Sequence, residues 1–230
     1  MDGKWEHQFI KKGRHVNRTM LLVDVASGLK YLHDLRIVHG DLKGVFVSLQ
    51  SDIYTSHLST KATLINKDRR TCIADFGLTT ITGVVTHAPG GGLQASLISS
   101  GSLMSFTAGG IYRWMSPELL DPERFGMLQS EDNRPTKQSD CYALGMVIYE
   151  VLCGYHPYVR IKSNILVVNA IMEGVTRPGK PEGATQLGLS GKLWRILGSC
   201  WPEDHSVRSS VEDVLPCLND AAARWYMREF

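Results

Sequence analysis

No CxxC pair and no local cluster of histidine with cysteine occurs in this sequence, and the five cysteines (Cys72, Cys141, Cys153, Cys200, Cys217) are odd in number and widely spaced. That pattern suggests neither a zinc site nor a disulfide framework. Lysine and arginine form no block, and a formal net charge of +2 is too small to draw nucleic acid or an anionic membrane surface. No apolar run approaches the ~18 residues of a membrane span. The opening MDGKWEHQFIKKGRH is too polar for a signal peptide. The expectation is a protein without nucleic-acid or membrane partners, located in the cytoplasm or nucleus. What is present, 43% hydrophobic and 21% charged residues in 230, is the composition of one globular domain, residues 1–230.

Periodicity predicts a chain that is α+β but mainly α. In TMLLVDVASGLKYLH, Leu21, Leu22, Val25, Ala26, Leu29 and Leu32 fall on one helical stripe, and Asn17 is placed to cap it. Ile37 and Val38 then lead into the polar loop HGDLKG. Two β-like pieces follow, ATLI (Ala62–Ile65) and TCIA (Thr71–Ala74), with the polar stretch Asn66–Arg70 as the turn between them. From Thr79 to Gly110 the chain is rich in glycine, serine and threonine and has no sustained period, which reads as a long loop. Ser139–Leu152 is apolar nearly all round, as for a helix buried on every side. Further helical patterns lie near Ser163–Glu173, Gly191–Trp201 and Ser210–Tyr226, with Pro157, Pro178, Pro181 and Pro202 between them.

Three short strings stand in order: HGDLK at His39–Lys43, DFG at Asp75–Gly77 and SPE at Ser116–Glu118. Singly each is weak, and Asp41 or Asp75 could simply close a turn. Together they resemble the catalytic loop, the metal-binding motif and the APE motif of eukaryotic protein kinases. Asp140 in SDCYALG resembles the aspartate of that family's central buried helix. Arg208 stands where such kinases pair an arginine with the glutamate of the APE motif, here Glu118, and Cys200-Trp201 resembles a recurrent CW pair. The lysine of DLK and the string YRWMSPE are similar to tyrosine-kinase-like serine/threonine kinases.

The resemblance implies a C-terminal kinase lobe, a helical bundle with a small hairpin at the catalytic loop, and an activation segment at 75–118. It implies ATP and magnesium as cofactors and a protein substrate as partner. Phosphoryl transfer needs positioning and charge neutralisation more than covalent chemistry. On this reading Asp41 orients the substrate hydroxyl, and Lys43 neutralises the transferring phosphoryl group. Asp75 holds magnesium through hard oxygens. His39 packs under the loop, Phe76 and Gly77 are structural, and Gly77 lets the backbone turn tightly.

The sequence also departs from the pattern. Gly40 replaces the arginine of HRD, so that residue cannot clamp an activation-loop phosphate. Counting from Asp41 puts Phe46 where the family keeps a metal-binding asparagine, and a phenyl ring cannot ligate a hard cation. Residues 44–61 resemble an insertion or a retained intron. Ile111 stands where a threonine is common. Nothing in the sequence matches a glycine-rich loop, a VAIK-like lysine or its glutamate partner, so the N-terminal β lobe is expected to be absent and the chain inactive or severely impaired alone. Two alternatives follow: a kinase-like protein-binding module (a pseudokinase), and a non-functional gene-model fragment.

Overall fold

In a computed structural model, the described residues are 17–44, 63–65, 71–73, 80–81, 111–127, 134–175, 177–180, 185 and 189–226. Helix α1 (Arg18–Asp34) begins at Asn17, whose Oδ1 accepts the Met20 N–H at 3.1 Å, the capping interaction that its position predicts. Leu21, Leu22, Val25, Ala26 and Leu29 of this helix are buried, while Leu32 is only half-buried; the last buried turn belongs to His33. The helix stops at Asp34, and Arg36 takes a left-handed backbone (φ 59°) that turns the chain into β1 (Ile37–Val38).

The hairpin expected around residues 62–74 is present as β2 (Thr63–Ile65) and β3 (Thr71–Ile73), antiparallel with Leu64 opposite Cys72. It packs on α1 through Ile73, which comes so near Gly28 that a Cβ there would lie 3.2 Å from Ile73 Cδ1. One strand was not legible in the sequence. Thr80–Ile81 (β4), inside the stretch that reads as loop, pairs antiparallel with β1, Val38 opposite Thr80. Two residues are too few to establish an alternating pattern, and the pairing partner is about forty positions away.

A single turn of 3₁₀ helix (Ile111–Arg113) leads into the short α2 (Pro117–Leu120). Helix α3 (Lys137–Cys153) forms the centre. Thr136 and Ser139 exchange side-chain-to-backbone hydrogen bonds at its start, and Gly154 ends it with a left-handed φ of 77°. From Ser139 to Cys153 only Glu150 is less than buried, as an apolar run without a polar face requires. Helices α4 (Asn164–Met172), α5 (Gly191–Cys200) and α6 (Val211–Tyr226) complete the bundle. Helix α6 lies along α1, and α5 bridges α3 and α6, around a core that includes Leu22, Leu29, Leu144, Ile148, Leu197 and Leu218.

Within that core α3 and the end of α5 approach closely at Gly145. A Cβ on Gly145 would stand 2.7 Å from Trp201 Nε1 and 2.9 Å from Cys200 Cβ. Trp201 cannot retreat, because it meets Tyr149 and Trp194 edge-on at 6.4 and 5.9 Å. Gly145→Ala is therefore expected to destabilise the fold by roughly 1–3 kcal/mol, the usual cost of overpacking. Urea denaturation measures it, and an unchanged midpoint would show that Trp201 gives way. Cys141, Cys153, Cys200 and Cys217 are free thiols. Burial pushes the first two up to about 12, so they are neutral packing groups at ordinary pH. Among the described residues no helix is long and apolar enough to cross a membrane.

Candidate active site

The loop from His39 to Lys43 leaves β1 and crosses the N-terminal half of α3, where Asp140 is buried to 1% exposure. A carboxylate at that depth needs several donors, and it has three. Oδ1 accepts the Gly40 N–H at 2.9 Å, and Oδ2 accepts the His39 N–H at 2.8 Å together with His33 Nε2 at 2.9 Å. Gly40 has a left-handed φ of 78°, which a glycine adopts without the steric cost of a side chain. With both amides fixed, the loop folds on itself, and the Asp41 N–H donates to His39 Nδ1 at 3.3 Å. Two residues after Asp41 comes Lys43, whose Nζ stands 2.5 Å from Asp41 Oδ2, and both residues are nearly enclosed. A carboxylate and an ammonium are thereby held together at the end of a rigid tether. The first is able to orient a hydroxyl, and the second to neutralise an anion.

The opposite wall is the segment Trp114–Ser116, which with Gly40, Asp41 and Leu42 lines a hollow beside the loop. Trp114 Nε1 donates to Glu150 Oε2 at 3.0 Å. That pair sits against the exit of the loop, since a Cβ on Gly44 would meet the Glu150 carboxylate oxygens at 2.9 Å and Trp114 Cζ2 at 3.2 Å. Behind this wall, Glu118 and Arg208 form a two-pronged ion pair, each guanidinium nitrogen 2.7 Å from its carboxylate oxygen, with at most 2% of either side chain exposed. Arg208 also donates from Nε to the Pro202 carbonyl at 2.9 Å and lies 5.1 Å over the Tyr142 ring.

The structure thus brings His39, Asp41, Lys43 and Asp140 into one cluster and pairs Glu118 with Arg208 beside it. Asp75, Phe76, Gly77, Phe46 and most of the 44–61 segment lie outside the described residues. Four further residues belong to the cluster or its wall: His33, Arg113, and Trp114 with its partner Glu150. His33 carried a signal, because it follows Leu22, Ala26 and Leu29 at helical spacing and so places a polar ring on an apolar face. Arg113 carried none; nothing nearby in sequence reveals its acceptors.

The donor set fits one half of a phosphoryl-transfer site. Lys43 beside Asp41 suits an anionic group next to a hydroxyl, whereas the described residues contain no cluster of three or more His, Cys, Asp or Glu for a metal.

Comparison with known proteins agrees with the arrangement of motifs. Residues 6–217 match the family described as "Protein kinase domain". The chain is 28% identical over 200 residues to a Raf homolog serine/threonine-protein kinase of Caenorhabditis elegans, covering 87% of this chain and 20% of that protein. It is 25% identical over 217 residues to serine/threonine-protein kinase STY17 of Arabidopsis thaliana, covering 93% and 30%. It is 28% identical over 199 residues to receptor-interacting serine/threonine-protein kinase 3 of Rattus norvegicus, covering 84% and 34%. The chain thus spans between a fifth and about a third of the length of these relatives.

Proposed function

Because the chain belongs to the eukaryotic protein kinase family, we propose that it carries the catalytic-loop half of a serine/threonine kinase, which transfers the γ-phosphoryl group of ATP to protein hydroxyls. The observation that carries this reading is the Asp41–Lys43 pair on a loop whose two preceding amides are pinned by Asp140. Asp41 accepts the hydrogen bond of the substrate hydroxyl and sets its direction of attack. Lys43 lies on the phosphoryl side and offsets charge there. Asp75 would hold magnesium through its carboxylate oxygens, and the cation would supply positive charge to the phosphates. Lys43 and YRWMSPE favour the tyrosine-kinase-like group, and the serine/threonine names of the relatives support the hydroxyl class.

These 230 residues include no glycine-rich loop and no VAIK-like lysine, and Phe46 stands at the second metal position. Turnover by these residues alone is therefore expected at background level, even where nucleotide binds. A thermal-shift titration with ATP and magnesium separates binding from turnover. The kinase reading expects melting to rise at high ATP, by the equivalent of roughly 2.7 kcal/mol at a hundredfold over Kd. Asp75→Ala should remove that rise. A chain that melts cooperatively and stays flat up to millimolar nucleotide would sink the reading for these residues. It would leave the second one, a kinase-like module that docks a partner protein, for which Ile165 and Leu166 on α4, 60% and 57% exposed, are the specific observation.

A further inference from the structure

Arg113 stands immediately before Trp114, and its side chain bonds to the loop that follows α3. Nη1 donates to the carbonyl oxygens of Pro157 at 2.8 Å and Tyr158 at 3.0 Å, and Nη2 donates to that of Ile161 at 2.8 Å. The guanidinium is buried, with 7% of the residue exposed. A surface arginine would gain little by this; a buried one bonded to three carbonyls of a single loop defines the position of that loop.

The loop itself is strained. Tyr158 has a left-handed backbone (φ 57°), an unfavourable state for a residue with a bulky side chain. Such states persist where the surroundings over-determine them, and they concentrate at functional sites. Here the Tyr158 carbonyl accepts both from Arg113 and from the Ile161 N–H at 2.8 Å. Its hydroxyl donates to the Val175 carbonyl at 3.1 Å, at the far end of α4. One residue later than Arg113, Trp114 is bonded to Glu150 near the end of α3 and abuts Gly44 at the exit of the catalytic loop. The wall facing Asp41 is thus anchored by two successive side chains that bond to different elements, Arg113 to the loop after α3 and Trp114 to Glu150 of α3.

We propose that Arg113 is a positioning residue: by holding the strained Tyr158 loop it fixes the Trp114–Met115 wall beside Asp41, and thereby the path of the peptide that the site receives. The inference rests on the kinase reading only for the identity of that peptide as substrate; the mechanical link is independent of it.

The test uses the full chain labelled with 5-fluorotryptophan, whose five tryptophans give separate fluorine resonances, that of Trp114 being identified by its loss in Trp114→Phe. In Arg113→Met the Trp114 line is expected to shift and broaden, while the lines of Trp201 in the core and Trp194 packed against it stay in place. The Ile161 amide should exchange roughly tenfold faster, as for loss of one hydrogen bond to a charged group. Arg113→Lys should give the same result, because one ammonium cannot occupy both nitrogen positions of the fork. If Arg113→Met does not fold, the lysine variant carries the test. An unmoved Trp114 line with unchanged Ile161 exchange would overturn the proposal, as would full restoration by lysine, which makes the role one of charge alone. Collapse of all five lines in both variants would reduce Arg113 to a general structural residue and overturn it equally. No nucleotide is needed, so a chain that fails to bind ATP still decides the question.

Discussion

Replacing Arg208 with methionine is expected to destabilise the protein by about 3–5 kcal/mol, enough to remove much of the stability of an ordinary domain. Glu118 would be left as a buried carboxylate with both of its 2.7 Å guanidinium bonds gone. The Pro202 carbonyl and the face of Tyr142 would lose their shared cation as well. Most of that cost is the stranded charge, not the net worth of the pair. The double variant Glu118→Leu/Arg208→Met should therefore recover a large part of it, and a double-mutant cycle by urea denaturation should show strong coupling. Simple addition of the two single losses would mean that each residue is held by other neighbours and that the pair is incidental.

Asp140→Ala is the second large expectation, and it acts on the site more than on the bundle. Three donors, the amides of His39 and Gly40 and the ring of His33, would lose their common acceptor at once. Each orphaned buried donor costs about 1–3 kcal/mol, so a total of roughly 3 kcal/mol or more is expected. Amide exchange should rise first at residues 39–40, before the middle of α3 is affected. Asp140→Asn should be milder, since its remaining oxygen still accepts, and His33 can present an acceptor nitrogen to the new amide group. Equal exchange at residues 39–40 and in the core would show that the loop does not depend on Asp140 separately from the fold.

Where local rules suffice, the sequence was legible. Asn17 before an apolar stripe and the all-apolar face of Ser139–Leu152 each needed only spacing and hydrogen-bond chemistry. The positions of Asp140, Glu118 and Arg208 came from motif order, because nothing local distinguishes a buried Asp140 from any helical aspartate. What escaped was what depends on distant partners. The strand Thr80–Ile81 has meaning only beside Ile37–Val38. Arg113 looks like a surface arginine until Pro157, Tyr158 and Ile161 are brought to it. His33 lay between these cases, visible as an anomaly on an apolar face but with its partner 107 residues away.

That separation also governs when the site can form. The acceptor that orders His39 and Gly40 is 101 and 100 residues further along the chain. A loop of that span must be closed before any of the three bonds is made, and closure of long loops slows folding. During synthesis at about 5–20 residues per second, the loop waits roughly 5–20 s for Asp140 to follow it. Asp41 and Lys43 therefore reach the folding chain early, and become ordered only when the central helix has emerged and docked.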